Sequence, residues 1–286
     1  MVNILEAGRL LPKSLISYGT GWLARLRLPG PLARVAGYLF IKLFGIDMSE
    51  AEHPPASYRT IEDIFTRKLK TGLRPADGRV VSPADGILSM SAPAQLGRAL
   101  QAKGLWYSLD ELVFGRDSRH DWQPCWYFTV YLAPHNYHRV HAPVSGRLVQ
   151  AGYFPGELWP VNQPFVRFTR NLFCRNERLV FELETENGGR VYVVMVGALN
   201  VGRISARHIP DFVTNGSPGV RVSPVNFVME EEVFVQAGDE LGTFMLGSTV
   251  VTVFDRKSAE GFSFYETSTS TPIKMGQSLL NAVKEP

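Results

Sequence analysis

The chain has few of the residues that mark metal-binding, secreted or membrane-spanning proteins. Its 286 residues include two cysteines, Cys125 and Cys174, whose spacing matches neither a zinc motif nor a disulfide framework, which fits a reducing compartment. The N-terminus lacks the basic start, apolar core and small-residue cleavage site of a secretory signal. No uncharged apolar run reaches the roughly 18 residues expected of a spanning helix.

Positive and negative charges nearly balance over the whole chain. The net charge of +3 is too small to favour nucleic-acid binding, whereas the hydrophobic fraction of 45% suffices for a sizeable core. The basic excess is local, because residues 7–45 contain no Asp or Glu. The basic residues of this segment are Arg9, Lys13, Arg25, Arg27, Arg34 and Lys42.

The same segment carries two helical patterns of apolar residues. The first, within 13–27, consists of Leu15, Tyr18, Trp22, Leu23 and Leu26. The second, within 31–44, consists of Leu32, Val35, Ala36, Leu39, Phe40, Leu43 and Phe44. Pro31 suits a first helical turn, and Gly45 suits a helix end. The periodicity fits two helices packed on a core as well as two helices lying in a membrane interface. The one-sided charge favours the membrane interpretation.

The rest of the sequence predicts short helices and many strands. Thr60 and Asp63 form a capping pair for a helix that reaches Leu69, and Ser108 with Glu111 caps another. Strands are predicted at 126–132, 147–153, 179–185, 191–197, 231–236 and 249–254, with turns at 187–189 and 237–240. A strand end and a short helix are expected after Thr271. The predicted fold class is α+β: N-terminal interfacial helices (1–59, with a linker), then a β-rich catalytic domain of antiparallel sheets (60–286).

One peptide bond, Gly247–Ser248, stands at the head of a β-branched run that reads as a buried strand. If a base removes the Ser248 hydroxyl proton, the oxygen can attack the Gly247 carbonyl and replace the amide with an ester. Elimination and hydrolysis would then leave a pyruvoyl group. The alternative is a glycine at a bulge followed by an ordinary strand serine.

Three other residues are candidates for a proton relay to Ser248. Asp85, in the turn 83–86, can orient an imidazole or simply close an Asx-turn. His138 and His141 are three residues apart, and in a strand they would face opposite sides. A metal site is the rival interpretation of paired histidines, but no Cys, Asp or Glu cluster lies near them in the sequence. Serine with histidine and aspartate is the arrangement of a catalytic triad.

Taken together, the motifs resemble those of bacterial, pyruvoyl-dependent phosphatidylserine decarboxylases. The matching segments are in order and span nearly the whole chain. They are Ser57–Thr60, Phe65–Arg67, Arg74-Pro75, Ser82–Gly86, Leu100–Gly104, Tyr107–Leu109, Tyr137–His141, Gly156, Val161-Asn162, Asn171–Phe173, Arg175–Arg178, Val196–Ala198, Gly242, Phe244 and Leu246–Val250. One departure is Arg203, in Val201-Gly202-Arg203-Ile204, where bacterial members often carry serine.

The resemblance implies a proenzyme that cuts itself between Gly247 and Ser248. The resulting subunits, 1–247 and 248–286, would stay associated, and Ser248 would become the pyruvoyl cofactor. Asp85 and His141 would serve cleavage with Ser248, and His138 would serve decarboxylation. The implied reaction converts phosphatidylserine to phosphatidylethanolamine and CO₂.

The resemblance also implies where the protein works and with what. The expected partners are phosphatidylserine and an anionic membrane surface, and no nucleic acid. The expected location is the cytoplasmic face of the bacterial cell membrane, where the protein would be peripheral. Whether two such subunit pairs form a homodimer is left open by the sequence.

Two other functions compete with this one. A membrane-bound serine hydrolase would use Asp85, His141 and Ser248, but it would need a nucleophile elbow such as G-x-S-x-G, which the sequence around Ser248 does not have. A non-catalytic membrane module would not need the full set of candidate residues.

Overall fold

The computed structural model describes residues 13–102, 104–116, 120–199, 203–214, 223–245 and 248–281. The helices of these ranges are α1 (Lys13–Ala24), α2 (Gly30–Phe44), α3 (Ile61–Phe65), α4 (Leu109–Phe114), α5 (Gln163–Phe168), α6 (Leu172–Arg175) and α7 (Arg256–Ala259). The strands are β1 (Gly86–Pro93), β2 (Arg98–Ala102), β3 (Leu105–Ser108), β4 (Trp126–Leu132), β5 (Arg139–His141), β6 (Gly146–Phe154), β7 (Arg178–Glu184), β8 (Arg190–Val196), β9 (Ile204–Ala206), β10 (Val225–Val235), β11 (Glu240–Phe244), β12 (Ser248–Phe254) and β13 (Thr271–Ile273).

The main sheet has eight strands in the order β10-β6-β7-β8-β12-β4-β1-β13, and all neighbours are antiparallel. A three-stranded sheet, β5-β11-β9, carries the histidine segment, and β2-β3 forms a hairpin. The predicted α+β class is therefore confirmed. Every residue of β12 is buried, which explains its unbroken run of β-branched and aromatic side chains.

The two N-terminal helices form where the apolar periodicity predicts them. Pro31 lies in the first turn of α2, and Gly45 ends that helix in the left-handed conformation, φ 65°. The predicted apolar faces are largely open: Trp22 is 53% exposed, Leu39 58% and Leu43 77%. The structure therefore differs from the interpretation in which these faces pack on the core.

Several predicted strands occur within one residue of their expected bounds: those at 126–132, 147–153, 179–185, 191–197 and 249–254. The capping pair at α3 is also confirmed, because Thr60 Oγ1 accepts from the Asp63 N–H and Asp63 Oδ2 accepts from the Thr60 N–H, both at 3.0 Å. The predicted boundary between 1–59 and 60–286 stays a prediction.

Three predicted elements differ from the structure. The helix expected to reach Leu69 ends at Phe65. The strand expected at 231–236 begins at Val225, because β10 is an edge strand whose exposed side chains mask the apolar pattern. The expected C-terminal helix is wrong for the described residues up to 281. That segment instead pairs with residues 80–82: Ser82 donates to the Gln277 carbonyl, and Leu279 donates to the Val80 carbonyl.

Gly86 provides a test of how tightly β1 packs beside Asp85. A Cβ at this position would overlap the Tyr131 carbonyl oxygen on β4, which is backbone and cannot turn away. We expect Gly86→Ala to lower the free energy of unfolding by about 1 to 3 kcal/mol. The control is Gly19→Ala in α1, where no atom lies within 4 Å of the added Cβ. It should be neutral or more stable by up to about 1 kcal/mol. Thermal unfolding of both variants checks this, and a Gly86→Ala protein as stable as the parent would contradict it.

Candidate active site

Ser248 opens the central strand β12 and pairs with Leu132 of β4. Its side chain is fully buried, and its Oγ has no hydrogen-bond partner among the described residues. A buried hydroxyl without a partner loses its hydration without compensation, which is uncommon in folded proteins. Gly247, the other half of the predicted cleavage site, lies outside the described residues.

His138 lies just before β5 and is fully buried. Its ring packs on Phe65 of α3, with ring centroids 3.8 Å apart. Nδ1 lies 2.9 Å from the Asn136 carbonyl oxygen, so Nδ1 carries the hydrogen and Nε2 carries a lone pair. That Nε2 atom is buried and has no hydrogen-bond partner in the described part of the chain. Burial lowers the pKa of His138 to about 3, so the ring is neutral at physiological pH.

His141 is the last residue of β5, and both of its ring nitrogens have partners. Nδ1 lies 2.7 Å from the Gly238 carbonyl oxygen, and Nε2 lies 3.0 Å from the Tyr137 hydroxyl. The backbone N–H of His141 donates to the Pro83 carbonyl, which joins β5 to the turn that holds Asp85. Burial is the main cause of a lowered pKa at His141.

Asp85 is held by Arg74 rather than by a histidine. Arg74 Nε donates to Oδ1 at 3.0 Å and Arg74 Nη2 donates to Oδ2 at 2.8 Å. The Met275 N–H also donates to Oδ1, at 2.8 Å. Arg74 in turn binds Glu50. This guanidinium fork was not predicted from the sequence, where Arg74 stands out only as part of the family-like segment Arg74-Pro75.

The predicted triad therefore differs from the observed contacts. Among the described residues, no hydrogen bond joins Asp85, His141 and Ser248 to one another, although the Asp85 charge still acts on His141 through space. The physical reason is that a bidentate guanidinium satisfies the carboxylate, and a backbone carbonyl takes over the orientation of the imidazole. The roles assigned to Asp85, His138, His141 and Ser248 stay predictions.

A pocket of about 470 Å³ lies between the N-terminal helices and the end of β4. Its lining is mainly apolar and consists of Thr20, Leu23, Ala24, Phe40, Phe44, Ile61, Phe65, Tyr131, Leu132, Pro134, Pro160, Val161, Asn162, Ala198 and Leu199. Two lining residues connect it to the predicted site: Phe65 packs on His138, and Leu132 pairs with Ser248. Through these two residues the apolar pocket is connected to the Ser248 hydroxyl and to His138 Nε2, neither of which has a hydrogen-bond partner among the described residues.

Comparison with known proteins decides the family. A family model described as phosphatidylserine decarboxylase matches residues 61–281. The phosphatidylserine decarboxylase proenzyme of Myxococcus xanthus is 42% identical over 258 residues, which cover 89% of this chain and 90% of that protein. The proenzyme of Anaeromyxobacter sp. is 41% identical over 254 residues (88% and 89%), and that of Shewanella amazonensis is 38% identical over 268 residues (89% and 90%).

The chain belongs to the phosphatidylserine decarboxylase family. This confirms the predicted family and the predicted class of enzyme, a decarboxylase made as a proenzyme. The serine hydrolase alternative is not favoured.

The departure from the family pattern at Arg203 has a structural account. In this phosphatidylserine decarboxylase family member, Arg203 Nη1 lies 3.3 Å from Glu62 of α3. Glu62 also lies 3.9 Å from Arg25, which follows α1. Arg203 and Arg25 therefore both pair with Glu62, and these ion pairs link three elements: the end of α1, α3 and the segment before β9. Arg203 is not one of the predicted site residues.

Proposed function

We propose that this chain decarboxylates phosphatidylserine to phosphatidylethanolamine and CO₂ after it has cut itself between Gly247 and Ser248. In a member of this family, one observation carries the proposal: the Ser248 hydroxyl and His138 Nε2 are buried without a hydrogen-bond partner among the described residues, and each is next to a residue that lines an apolar pocket. A buried polar group without a partner costs stability, and a role in chemistry is one reason for a protein to keep such a group.

Ser248 is the proposed source of a pyruvoyl group. Its position suits one, because Ser248 is fully buried and its Oγ would give up no hydrogen bond to a described residue. The pyruvoyl carbonyl would supply an electron acceptor when the substrate carboxylate leaves as CO₂. The flanking strands β4 and β8 hold β12, and hence residue 248, in place.

His138 is proposed to move the proton that decarboxylation requires. Since its pKa is lowered to about 3, it is neutral and must accept a proton at Nε2 before it can donate one. Asn136 fixes the tautomer, and Phe65 covers the ring and excludes water.

Strand pairing and side-chain contacts would hold the two proposed subunits together after cleavage. The fragment that begins at Ser248 contributes β12, which lies between β8 and β4, and β13, which pairs with β1. It also donates the Met275 N–H to Asp85 and the Lys274 ammonium to Glu50. Removal of β12 would expose the middle of the main sheet.

Replacement of Ser248 tests the proposed function directly. Ser248→Ala removes the attacking oxygen, so the protein should remain one chain on a denaturing gel and by intact mass. The control is Thr252→Val, which removes another buried, unpartnered hydroxyl from the same strand at nearly constant volume. That variant should be cut normally. If Ser248→Ala still yields two fragments, the proposal is wrong.

The two histidines should separate cleavage from decarboxylation. We expect His141→Ala to stay uncut. His138→Ala should be cut at least in part and trap an amine reagent, yet release CO₂ from phosphatidylserine vesicles at least about 100-fold more slowly. A denaturing gel and a headspace assay on the same two preparations measure this. If both variants are cut and His138→Ala also decarboxylates normally, the proposed division of roles is wrong.

Attachment to an anionic membrane surface is proposed for α1 and α2. Large apolar side chains on these helices are exposed, and basic residues accompany them without a nearby acid in the sequence. None of the helices in the described part of the chain is long and apolar enough to cross a membrane. An apolar face with flanking cations is typical of helices that lie in the interface, and phosphatidylserine is anionic. We propose the cytoplasmic face of the cell membrane.

Two matched pairs of substitutions test this attachment. Leu39→Ser with Leu43→Ser removes two exposed side chains from α2, and binding to phosphatidylserine vesicles should weaken about tenfold or more. Val228→Ser with Phe234→Ser is the control, because these residues of β10 are exposed to a similar extent, 67% and 70%. Its co-sedimentation should equal that of the parent. The proposal would be contradicted if vesicle binding weakened equally in both double variants, or if it did not weaken in the α2 variant.

A further inference from the structure

Three consecutive residues at the end of α3 contact the segment that carries His138. The Phe65 ring packs on the His138 ring. The Thr66 carbonyl accepts from Nε and Nη2 of Arg139, at 3.0 and 2.9 Å. The third residue, Arg67, donates to carbonyls of the turn that precedes β5. Since this turn leads into His138, the end of α3 and the histidine segment form one connected unit.

The described hydrogen-bond partners of Arg67 are all backbone carbonyls. Nη2 donates to the His135 carbonyl at 3.0 Å and to the Asn136 carbonyl at 3.4 Å, and Nη1 donates to the Ile64 carbonyl at 3.4 Å. The residue is 4% exposed, and its Nε has no hydrogen-bond partner among the described residues. A guanidinium that is buried against neutral carbonyls costs stability, so its position calls for a role other than stabilisation.

The Asn136 carbonyl connects Arg67 to His138. Its oxygen accepts from Arg67 Nη2 and lies 2.9 Å from His138 Nδ1, and a carbonyl oxygen has one lone pair for each. The second contact places the ring hydrogen on Nδ1 and leaves the lone pair on Nε2. A shift of the turn at 135–136 would therefore change both the direction of the ring and the atom that carries its hydrogen.

The charge of Arg67 also acts on the ring. The charged and titratable groups that act on His138 from the surrounding elements are Arg67, at the end of α3, and His135, in the turn. Both disfavour a second positive charge, and they add to burial, the main cause of the lowered pKa of His138. From β11, the Phe244 N–H donates to the His138 carbonyl, which is a contact without charge. The guanidinium thus favours the neutral ring.

We propose that Arg67 is a positioning residue for decarboxylation, which holds the turn at 135–136 so that His138 keeps its hydrogen on Nδ1 and presents Nε2. This inference rests on the proposed function, in which His138 moves a proton at Nε2. Arg67 acts through the ring and through the carbonyl that orients it. Loss of the guanidinium should therefore slow the chemical step and leave the binding of phosphatidylserine unchanged.

The first test compares two buried arginines. Arg67→Met removes the guanidinium at similar side-chain length. The control is Arg178→Met, because Arg178 is also 4% exposed and also donates to backbone carbonyls, those of Glu111, Leu112 and Cys174. CO₂ release from phosphatidylserine in detergent micelles is measured per pyruvoyl group, counted with an amine reagent, so that unfolded or uncut protein does not enter the rate. Arg67→Met should lower kcat about tenfold or more at unchanged KM, as expected for a displaced proton-transfer group. Arg178→Met should keep both parameters.

A conservative variant shows whether the contact itself is responsible. Lysine keeps the charge and can donate to one carbonyl, so kcat of Arg67→Lys should lie between those of the parent and Arg67→Met. The proposal is overturned if Arg67→Met has the parent kcat per pyruvoyl group, or if Arg178→Met loses as much as Arg67→Met.

The second test begins with the parent protein and so does not depend on how a variant folds. Nitrogen NMR of histidine-labelled protein reports the tautomer of each ring, and the signals of His138 are assigned by their loss in His138→Ala. In the parent, His138 should carry its hydrogen on Nδ1 and should stay unprotonated between about pH 8 and pH 5. A hydrogen on Nε2, or a titration in this range, overturns the proposal.

The same spectra of Arg67→Met should differ from those of the parent. A second tautomer of His138 should appear, because the turn is no longer held. The protonation of His138 should also move to higher pH, because the loss of a neighbouring positive charge favours the imidazolium. Spectra identical to those of the parent would overturn the proposal.

The parent protein also separates this inference from the proposed function. If the parent carries no group that traps amines, or releases no CO₂ from phosphatidylserine, the proposed function fails and the role of Arg67 fails with it. If the parent releases CO₂ and Arg67→Met does so at the same rate per pyruvoyl group, only the positioning role is overturned.

Discussion

The burial of β12 is the constraint on which the rest of the structure depends. Its seven residues are buried, and it pairs with β8 on one side and β4 on the other. A serine at the head of such a strand cannot reach water, so its hydroxyl depends on whatever protein groups surround it. The same pairing fixes the position of residue 248, because the backbone of the residues that follow it is held by both neighbouring strands. A central strand is therefore a suitable place for a covalently made cofactor.

Burial acts in opposite ways on the charged and neutral groups around this strand. The Arg74 guanidinium meets Asp85 with two hydrogen bonds, and Glu50 completes the cluster. In the described part of the chain neither His138 nor His141 has a charged hydrogen-bond partner, and desolvation keeps their rings neutral. The site thus combines a fixed ion pair with two uncharged bases. Loss of Arg74 would leave a buried, uncompensated carboxylate, at a cost of about 3 to 5 kcal/mol.

The sequence predicts those features that depend on local pattern, and it misses those made by distant backbone. The helix of 31–44 and the strand at 249–254 were predictable, since periodicity and β-branching act within one element. The contact between Gly238 and His141 was not, because a carbonyl is present in every residue and leaves no signal in the sequence. Arg74 illustrates the same limit: its pairing with Glu50 joins residues 24 positions apart. Histidine spacing alone likewise did not show that His138 would pack on Phe65.

The helices that are proposed to contact the membrane also form one wall of the apolar pocket. Leu23 of α1 and Phe40 of α2 line it, while Leu43 of α2 is 77% exposed. The lining also includes Leu132, the partner of Ser248 in the sheet. If α1 and α2 attach to the membrane as proposed, an acyl chain would remain among apolar side chains while the headgroup approached His138. A diacyl substrate would then reach the reacting residues without a transfer of its chains through water, which would cost about 0.8 kcal/mol for each methylene group exposed.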